Sequence, residues 1–495
     1  FKMKGSGKIT SDCKDLGGFN VNQTQFYLHV FQLEEEILKG KGHGMKKAKI
    51  GVKTFTMLCL TILTVLLLLR AGVVEAEEIS VGIIGPMKFA LGDHSWKGAN
   101  IAADEINAAG GIKFGGKLHK VKLVQADDDC LTSIPNAVSA MKRLVNVNKV
   151  DFVVGGFRSE AVLAQQEVMA DNKIIFLGTG SSAAEQNERL AKDFERYKYW
   201  FRIGNGNAKV GIPGWFGMIE PVIRAVRKDL GIQKPRVAML IDKHRWAEPI
   251  ADISTKLFTE MGCEVVGIWR PSVTATNVST ELSAIKSAGA HIIFTQMTGP
   301  SGNAFARQWG ELKIPAAMAG VNLEVVKEVA WEATGGRCNY ALVSDVVAAS
   351  SEKTKRTKHF LAEFKKRYNE LPLYTGSGGY DAIYLLKEVI EKAQSLNAET
   401  LIPVIEATTF VGTMGTLQFT PRSAVNPHDL IWGPQYYWGG IQWIDGKRYD
   451  VWPDGHEISP ALVAIGAPKG WDKVRPVGTR DYVLPPWVVE YWKNK

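Results

Sequence analysis

Asp151-Phe-Val-Val-Gly-Gly-Phe-Arg-Ser-Glu160, followed by Ile174-Ile-Phe-Leu-Gly-Thr-Gly-Ser-Ser182, decides the fold. Each half is an apolar run that breaks into glycine and then into hydroxyl residues where the next segment turns helical. Such a run suits a strand buried on both faces of a parallel sheet. The hydroxyls then fall at the carboxyl edge, where loop amides and helix N-termini converge and favour an anion. The stretch predicts a binding edge rather than catalysis.

Outward from it, the pattern alternates. Ile79 to Ile84, Val121 to Val124, Phe152 to Val154 and Ile174 to Leu177 read as strands. Between them, Trp96 to Ala108, Pro135 to Val147 and Ser159 to Ala170 read as helices, with Ser159 as N-cap. After Tyr199-Trp-Phe-Arg202 and the loop Gly204-Asn-Gly-Asn207 the alternation resumes. Strands are expected at Val237 to Ile241, Val265 to Trp269, Ile292 to Thr295 and Ala317 to Ala319. The helices between them are Pro249 to Met261, Val278 to Ala288 and Asn303 to Leu312. Two βαβ units in succession imply parallel sheets wound on both faces.

The remainder departs from strict alternation: a strand at Tyr340 to Val347, helices at Glu352 to Arg367, Tyr380 to Ala393 and Glu399 to Ala407, then, after Thr416-Leu-Gln-Phe419, the hairpin segments Tyr436 to Trp443 and Arg448 to Trp452. Asp445-Gly446 joins the last two as a hairpin, because Asp-Gly suits a type I′ turn. Residues 453–495, rich in Pro, Gly and Trp, read as an irregular wrap.

The 495 residues are 45% hydrophobic and 22% charged, which is globular composition with length for two or three domains. The net charge of +9 has no Arg/Lys stripe interleaved with aromatics, so no nucleic-acid partner is expected. Lys353-Thr-Lys-Arg356 and Lys365-Lys-Arg367 read as a solvated helix face. Residues 1–44 lack an initial Met and precede Met45, and are expected to be an upstream extension. In residues 45–76 a basic start, Met45-Lys-Lys-Ala-Lys49, precedes an apolar core from Phe55 to Leu69 and small residues in Val74-Glu-Ala76. That is an export signal with maturation at Glu77; a retained membrane anchor is the alternative. The exported Cys130, Cys263 and Cys338 allow at most one disulfide, and no spacing suggests a metal site.

Four stretches now resemble a known family: Gly98-Ala-Asn-Ile-Ala-Ala-Asp-Glu-Ile-Asn-Ala-Ala-Gly-Gly-Ile112, Val124-Gln-Ala-Asp-Asp-Asp-Cys130, Val153-Val-Gly-Gly-Phe-Arg-Ser159 and Ile241-Asp-Lys243. Together they are similar to the periplasmic type I solute-binding proteins of ABC importers, in the leucine/isoleucine/valine-binding branch. The resemblance covers about Glu77 to Trp452. It implies an α/β, two-lobed fold, each lobe a parallel-sheet sandwich, joined by a three-strand hinge near Gly204, Val346 and Gly412. Lobe one would be 77–203 and 347–411, and lobe two 204–346 and 412–452. It also implies a periplasmic monomer that hands its ligand to a membrane permease with its ATPases, without cofactor or catalysis.

Carried onto this sequence, the resemblance makes Ser159, Gly180 and Ser182 the ligand-carboxylate site and Trp246 the aromatic that closes over the ligand. Thr298, Asn322, Ser181 and Leu91 complete the expected set. Asn322 stands where the family has a glutamate for an α-ammonium, so the ligand is expected to keep a carboxylate but to lack a free amine or to use an amide. Arg158 stands where the family has the disulfide partner of Cys130, so it is expected to pair with Asp127 to Asp129 or to turn into the cleft.

Other functions fit less well. Gly178-Thr-Gly-Ser-Ser-Ala183 matches a dinucleotide fingerprint, but it follows the fourth strand and the next strand ends in Arg202 rather than an acid, against an exported NAD-dependent dehydrogenase. Gly-x-Ser-x-Gly is absent, and His94, His119, His244, His291, His359, His428 and His456 form no metal pair at i, i+4, against a hydrolase. A ligand-sensing receptor ectodomain of the same fold is the closer rival.

Overall fold

A computed structural model describes residues 78–243, 246–345 and 352–495. The expected upstream extension and export signal lie outside these residues, as does the crossover expected at Val346.

Two sheets organise the described chain. The first has six strands in the order β2-β3-β1-β4-β5-β6: β1 Glu78–Gly85, β2 Ile112–Phe114, β3 Lys117–Asp127, β4 Phe152–Gly155, β5 Phe176–Gly178 and β6 Trp200–Arg202. All pairs are parallel except the β2–β3 hairpin. The second has seven strands in the order β15-β14-β11-β10-β9-β7-β8: β7 Arg236–Ile241, β8 Glu264–Trp269, β9 Ile292–Met297, β10 Ala317–Asn322, β11 Leu342–Asp345, β14 Gly439–Ile444 and β15 Lys447–Trp452. It is parallel from β8 to β11 and antiparallel beyond. A short ladder, β12 Phe410–Val411 with β13 Thr416–Leu417, lies outside both.

The opening stretch supplies β4 and β5, and every residue of both is buried, as strands covered on two faces require. At the end of β4 the backbone takes φ of 126° at Gly155 and 79° at Gly156. A Cβ on Gly155 would run into the Ile84 carbonyl, so the exit from this strand needs glycine.

The chain leaves the first sheet after Arg202 and enters the second at Arg236. It leaves the second after Asp345, lays the helices Lys355–Tyr368 and Tyr374–Ala393 against the helix Ala90–Ala108, and returns to the second sheet at β14. The helix Tyr374–Ala393 starts at Tyr374 rather than at the expected Tyr380. Gly376 and Gly379 are poor helix formers, yet they let two helices touch: a Cβ on Gly98 would fall on the Gly376 carbonyl, and one on Gly379 on that of Ser95. Tertiary packing overrides propensity there.

Three further expectations are corrected. Residues 204–236 hold two helices that the pattern did not announce, Ala208–Gly217 and Glu220–Leu230; the first contains Pro213 and three glycines, all poor helix formers. Ser159 is the first helical residue rather than the N-cap, which is Arg158. The tail is not wholly irregular: it forms the helices Pro460–Ala464 and Pro486–Lys493, and Trp487 and Trp492 donate their indole N–H to the carbonyls of Ile314 at 3.0 Å and Pro315 at 2.6 Å. The Asp445-Gly446 turn has positive φ at both residues, 49° and 78°, as a type I′ hairpin requires.

Candidate ligand-binding cleft

A cleft of about 680 Å³, mouth included, opens where the carboxyl ends of the two parallel sheets face each other. From the first sheet, Ser159 follows β4, and Gly180 and Ser182 follow β5. From the second, Trp246 follows β7, Thr298 follows β9, and Val321 and Leu323 bracket the end of β10. Asn205, Trp215, Tyr374 and Trp438 close the remaining walls.

The first-sheet wall suits an anion. The helix Ser159–Asn172 begins at Ser159 with no side chain capping its first amides, so donors and the positive end of the helix dipole are left for a ligand. Ser159 Oγ accepts from Ser181 Oγ at 3.2 Å, and the Gln186 amide donates to Ser181 in turn. Ser181 therefore stands behind Ser159 and is absent from the lining. Asn205 Nδ2 donates to the Gly180 carbonyl at 2.8 Å and to Ser182 Oγ at 2.5 Å, while Tyr374 Oη donates to the same carbonyl at 3.1 Å. The loop that carries Ser182 is thus tied to the first crossover and to the helix Tyr374–Ala393. Burial, with Asp345 nearby, pushes the Tyr374 phenol up, so it stays a neutral donor.

Below this loop lies a fully buried ion pair. Arg202 Nε is 3.0 Å from Asp429 Oδ1, and both side chains have no solvent exposure. The same guanidinium donates to the carbonyls of Ser181 and Ala183 and to the side chains of Gln186 and Asn187. Asn207 donates its amide to Asp429 as well. One charge pair therefore fastens the serine loop to the crossover and to the return segment. The strand after the fingerprint-like Gly178-Thr-Gly ends in this structural arginine, which leaves no acid there for a ribose.

Besides Ser181, two members of the expected set, Asn322 and Leu91, do not line the cleft. Asn322 is fully buried, but its Nδ2 donates to the Gly302 carbonyl at 3.1 Å and its Oδ1 accepts from the amides of Glu324 at 3.2 Å and Val325 at 3.3 Å. Strand alternation turns it toward the helix Ser301–Glu311 and presents Val321 and Leu323 instead. Leu91 lies on the first turn of the helix Ala90–Ala108, packed against both hydrophobic cores. Thr298 does line the cleft; its amide and hydroxyl donate to Asp242 at 2.7 and 3.2 Å, which leaves the hydroxyl lone pairs as acceptors.

Arg158 does not pair with Asp127 to Asp129. Its Nη1 donates to the carbonyls of Cys130 at 3.3 Å and Leu131 at 3.1 Å, and its Nε lies 3.3 Å from Glu160, while the side chain borders the cleft. The three aspartates are engaged elsewhere, with the Met87 amide, Gln165 and Asn136 among their donors. Cys130, Cys263 and Cys338 are all free thiols. Burial pushes the Cys130 thiol up, with Asp128 acting in the same direction.

Of the aromatic wall only Trp246 was expected; Trp215, Tyr374, Trp438 and Asn205 were missed in the sequence. Trp215 sits in a Gly- and Pro-punctuated helix, and Tyr374 and Trp438 are far from the opening stretch in sequence. Of the lining side chains, Asn205 Oδ1 and Trp438 Nε1 are buried without a hydrogen-bond partner among the described residues, so a ligand or a water in the cleft can satisfy them. Among the described residues one His/carboxylate group, Asp93, His94 and Glu370, converges within 4.8 Å outside the cleft lining. Lys97 Nζ already fills it, 2.6 Å from Asp93 and 2.5 Å from Glu370, and His94 Nδ1 accepts from the Leu373 amide at 2.9 Å.

Similarity to known proteins agrees with this geometry. The chain is 27% identical over 261 residues to an amino acid binding protein of Pseudomonas aeruginosa, covering 52% of this chain and 64% of that protein's length. It is 23% identical over 408 residues to Leu/Ile/Val-binding protein homolog 7 of Brucella melitensis, covering 80% of this chain and 97% of that one. The solute-binding protein of an R. palustris ABC transporter, solved with benzoate, superposes with a TM-score of 0.61 at 17% identity, over 75% of this chain and 95% of that one. The fold is the two-lobed type I periplasmic binding protein fold. With residues 78–432 matched by the family's model, this chain belongs to the periplasmic binding protein family.

Proposed function

We propose that this protein captures a small carboxylate-bearing solute between its two lobes and delivers it, in a closed form, to a membrane permease with its ATPases outside the cytoplasm. One observation carries the reading: an uncapped helix start with Ser159 and Ser182 on one wall faces Trp246 and Thr298 on the other, so one ligand bridges both sheets. A bridging ligand stabilises closed lobes more than open ones, which is what shifts such an equilibrium.

The carboxylate is held by hydroxyls and amides, and the rest of the ligand meets an apolar, largely aromatic wall. Among the described residues Glu160 is the lining carboxylate, and it is paired with Arg158. An α-ammonium would lack a counter-charge, so a carboxylate without a primary amine is favoured over leucine. The benzoate held by the R. palustris protein is a ligand of that general kind.

Calorimetric titration of the purified protein with leucine, its 2-oxo acid, benzoate and the matching amides tests this. Binding of a carboxylate at least about tenfold tighter than its amide is expected, since hydrogen bonds to a charged group contribute about 1.5–3 kcal/mol. A ligand-induced fall in the radius of gyration by X-ray scattering would report closure. Equal affinity for acid and amide would remove the carboxylate assignment.

A further inference from the structure

Four of the cleft's lining rings adjoin one another. Trp215 lies 5.8 Å from Trp246 with the planes at 70°, and 6.3 Å from Trp438 at 61°. Trp438 is in turn 5.3 Å from Tyr374 at 35°. Parallel faces standing apart make a slot for a flat ring. Rings that meet steeply, edge against face, make a corner, and a compact group seated in a corner touches several π faces at once. The group that gains most from several π faces is a cation.

The polar side of the cleft narrows which cation. A primary ammonium brings N–H groups that each need an acceptor, and it is desolvated on entry. Glu160 is occupied by Arg158, the Asn322 amide is turned away, and Val321 and Leu323 are apolar. The acceptors left to the ammonium among the described lining residues are neutral, Asn205 Oδ1 and the lone pairs of the Thr298 hydroxyl, and neither offsets a full positive charge. A quaternary ammonium has no N–H to satisfy. Its charge is spread over methyl groups, and it needs π faces and a nearby partial negative charge rather than a carboxylate.

We propose that the Trp215–Trp246–Trp438 corner seats a quaternary ammonium, and that the ligand is a small zwitterion joining that group to the carboxylate gripped at Ser159 and Ser182. This rests on the reading of the cleft as a carboxylate-binding site. It explains why the second lobe offers rings where an amino-acid ligand would need an acid.

The test compares isosteres that differ only in charge. Calorimetry on the purified protein uses trimethylammonioacetate against tert-butylacetate, and the same pair lengthened by one methylene between the two groups. In at least one pair the ammonium compound is expected to bind about tenfold tighter or more, the scale of a desolvated cation–π contact. Trp246→Leu, which removes one π face of the corner, is expected to cut that preference to within about threefold, with a melting curve to show that the variant folds. Equal or tighter binding of the carbon isostere in both pairs overturns the proposal. So does binding of benzoate or leucine with neither ammonium compound bound, although the carboxylate site itself would then stand. If no carboxylate of any of these classes binds, the underlying assignment of the cleft falls together with the proposal.

Discussion

Asn205 Nδ2 donates to the Gly180 carbonyl at 2.8 Å, so the first crossover between the sheets is bonded directly to the loop that carries Ser182. Asn205→Ala removes that bond and the one to Ser182 Oγ. A loss of ligand affinity of about 5- to 30-fold is expected by calorimetry, from about 1–2 kcal/mol of lost hydrogen bonding. Asn205→Asp should cost more than Asn205→Ala, because it adds a negative charge beside the carboxylate seat. A smaller loss in Asn205→Asp would place the carboxylate elsewhere.

Ser159→Ala tests the opposite contact. It removes one hydroxyl but leaves the helix amides, so affinity should fall by about 1–2 kcal/mol rather than vanish. The thermal midpoint should move little, since Ser159 does not cap its own helix.

The Arg202–Asp429 pair is fully buried, and removing one partner strands a charge. Arg202→Met and Asp429→Leu should each destabilise by about 3–5 kcal/mol in denaturant titration. The double substitution should be less damaging than the sum of the two, because neither charge is then left alone. Additive losses would show that the partners act independently.

Burial pushes the Asp381 carboxyl up to about 7 from 3.8, against the downward pull of its Thr413 hydrogen bonds and of Arg356. Its folded value lies above its unfolded one, so the fold favours the neutral acid. The stability gained from that neutral form is complete below the unfolded value of 3.8 and lost as pH rises through about 7. Asp381→Asn keeps an acceptor for the Thr413 amide and cannot ionise. Its melting temperature should therefore be flatter than the wild type's between about pH 4 and pH 8.

Gly98→Ala places a methyl group on the Gly376 carbonyl, where two helix backbones touch. Overpacking of this kind costs about 1–3 kcal/mol, although alanine is otherwise the better helix former. A stabilised variant would mean that the helices can separate without loss.

The strands were legible because burial on both faces leaves a one-dimensional trace: apolar runs such as Phe152–Val154 and Ile292–Thr295, ended by glycine or a polar residue. The hydroxyl half of the cleft was legible for the same reason, since Ser159 and Ser182 lie within a few residues of those strand ends. Asn322 misled because its position beside the cleft is a property of the strand, whereas its side-chain direction is a property of one residue in an alternating pair. A shift of a single position exchanges Asn322 for Val321 or Leu323.

Two successive parallel sheets, with short hydroxyls at carboxyl edges that favour an anion, are readable along the chain, because strand burial and helix starts depend on neighbours in sequence. What surrounds those hydroxyls is set by long-range packing. Trp215, Trp246, Tyr374 and Trp438 are scattered over more than half of the described chain, and nothing local marks them as one wall. Their meeting depends on how the two sheets and the segments between them pack, and that same packing turns Asn322 inward and closes the Arg202–Asp429 pair behind the serine loop.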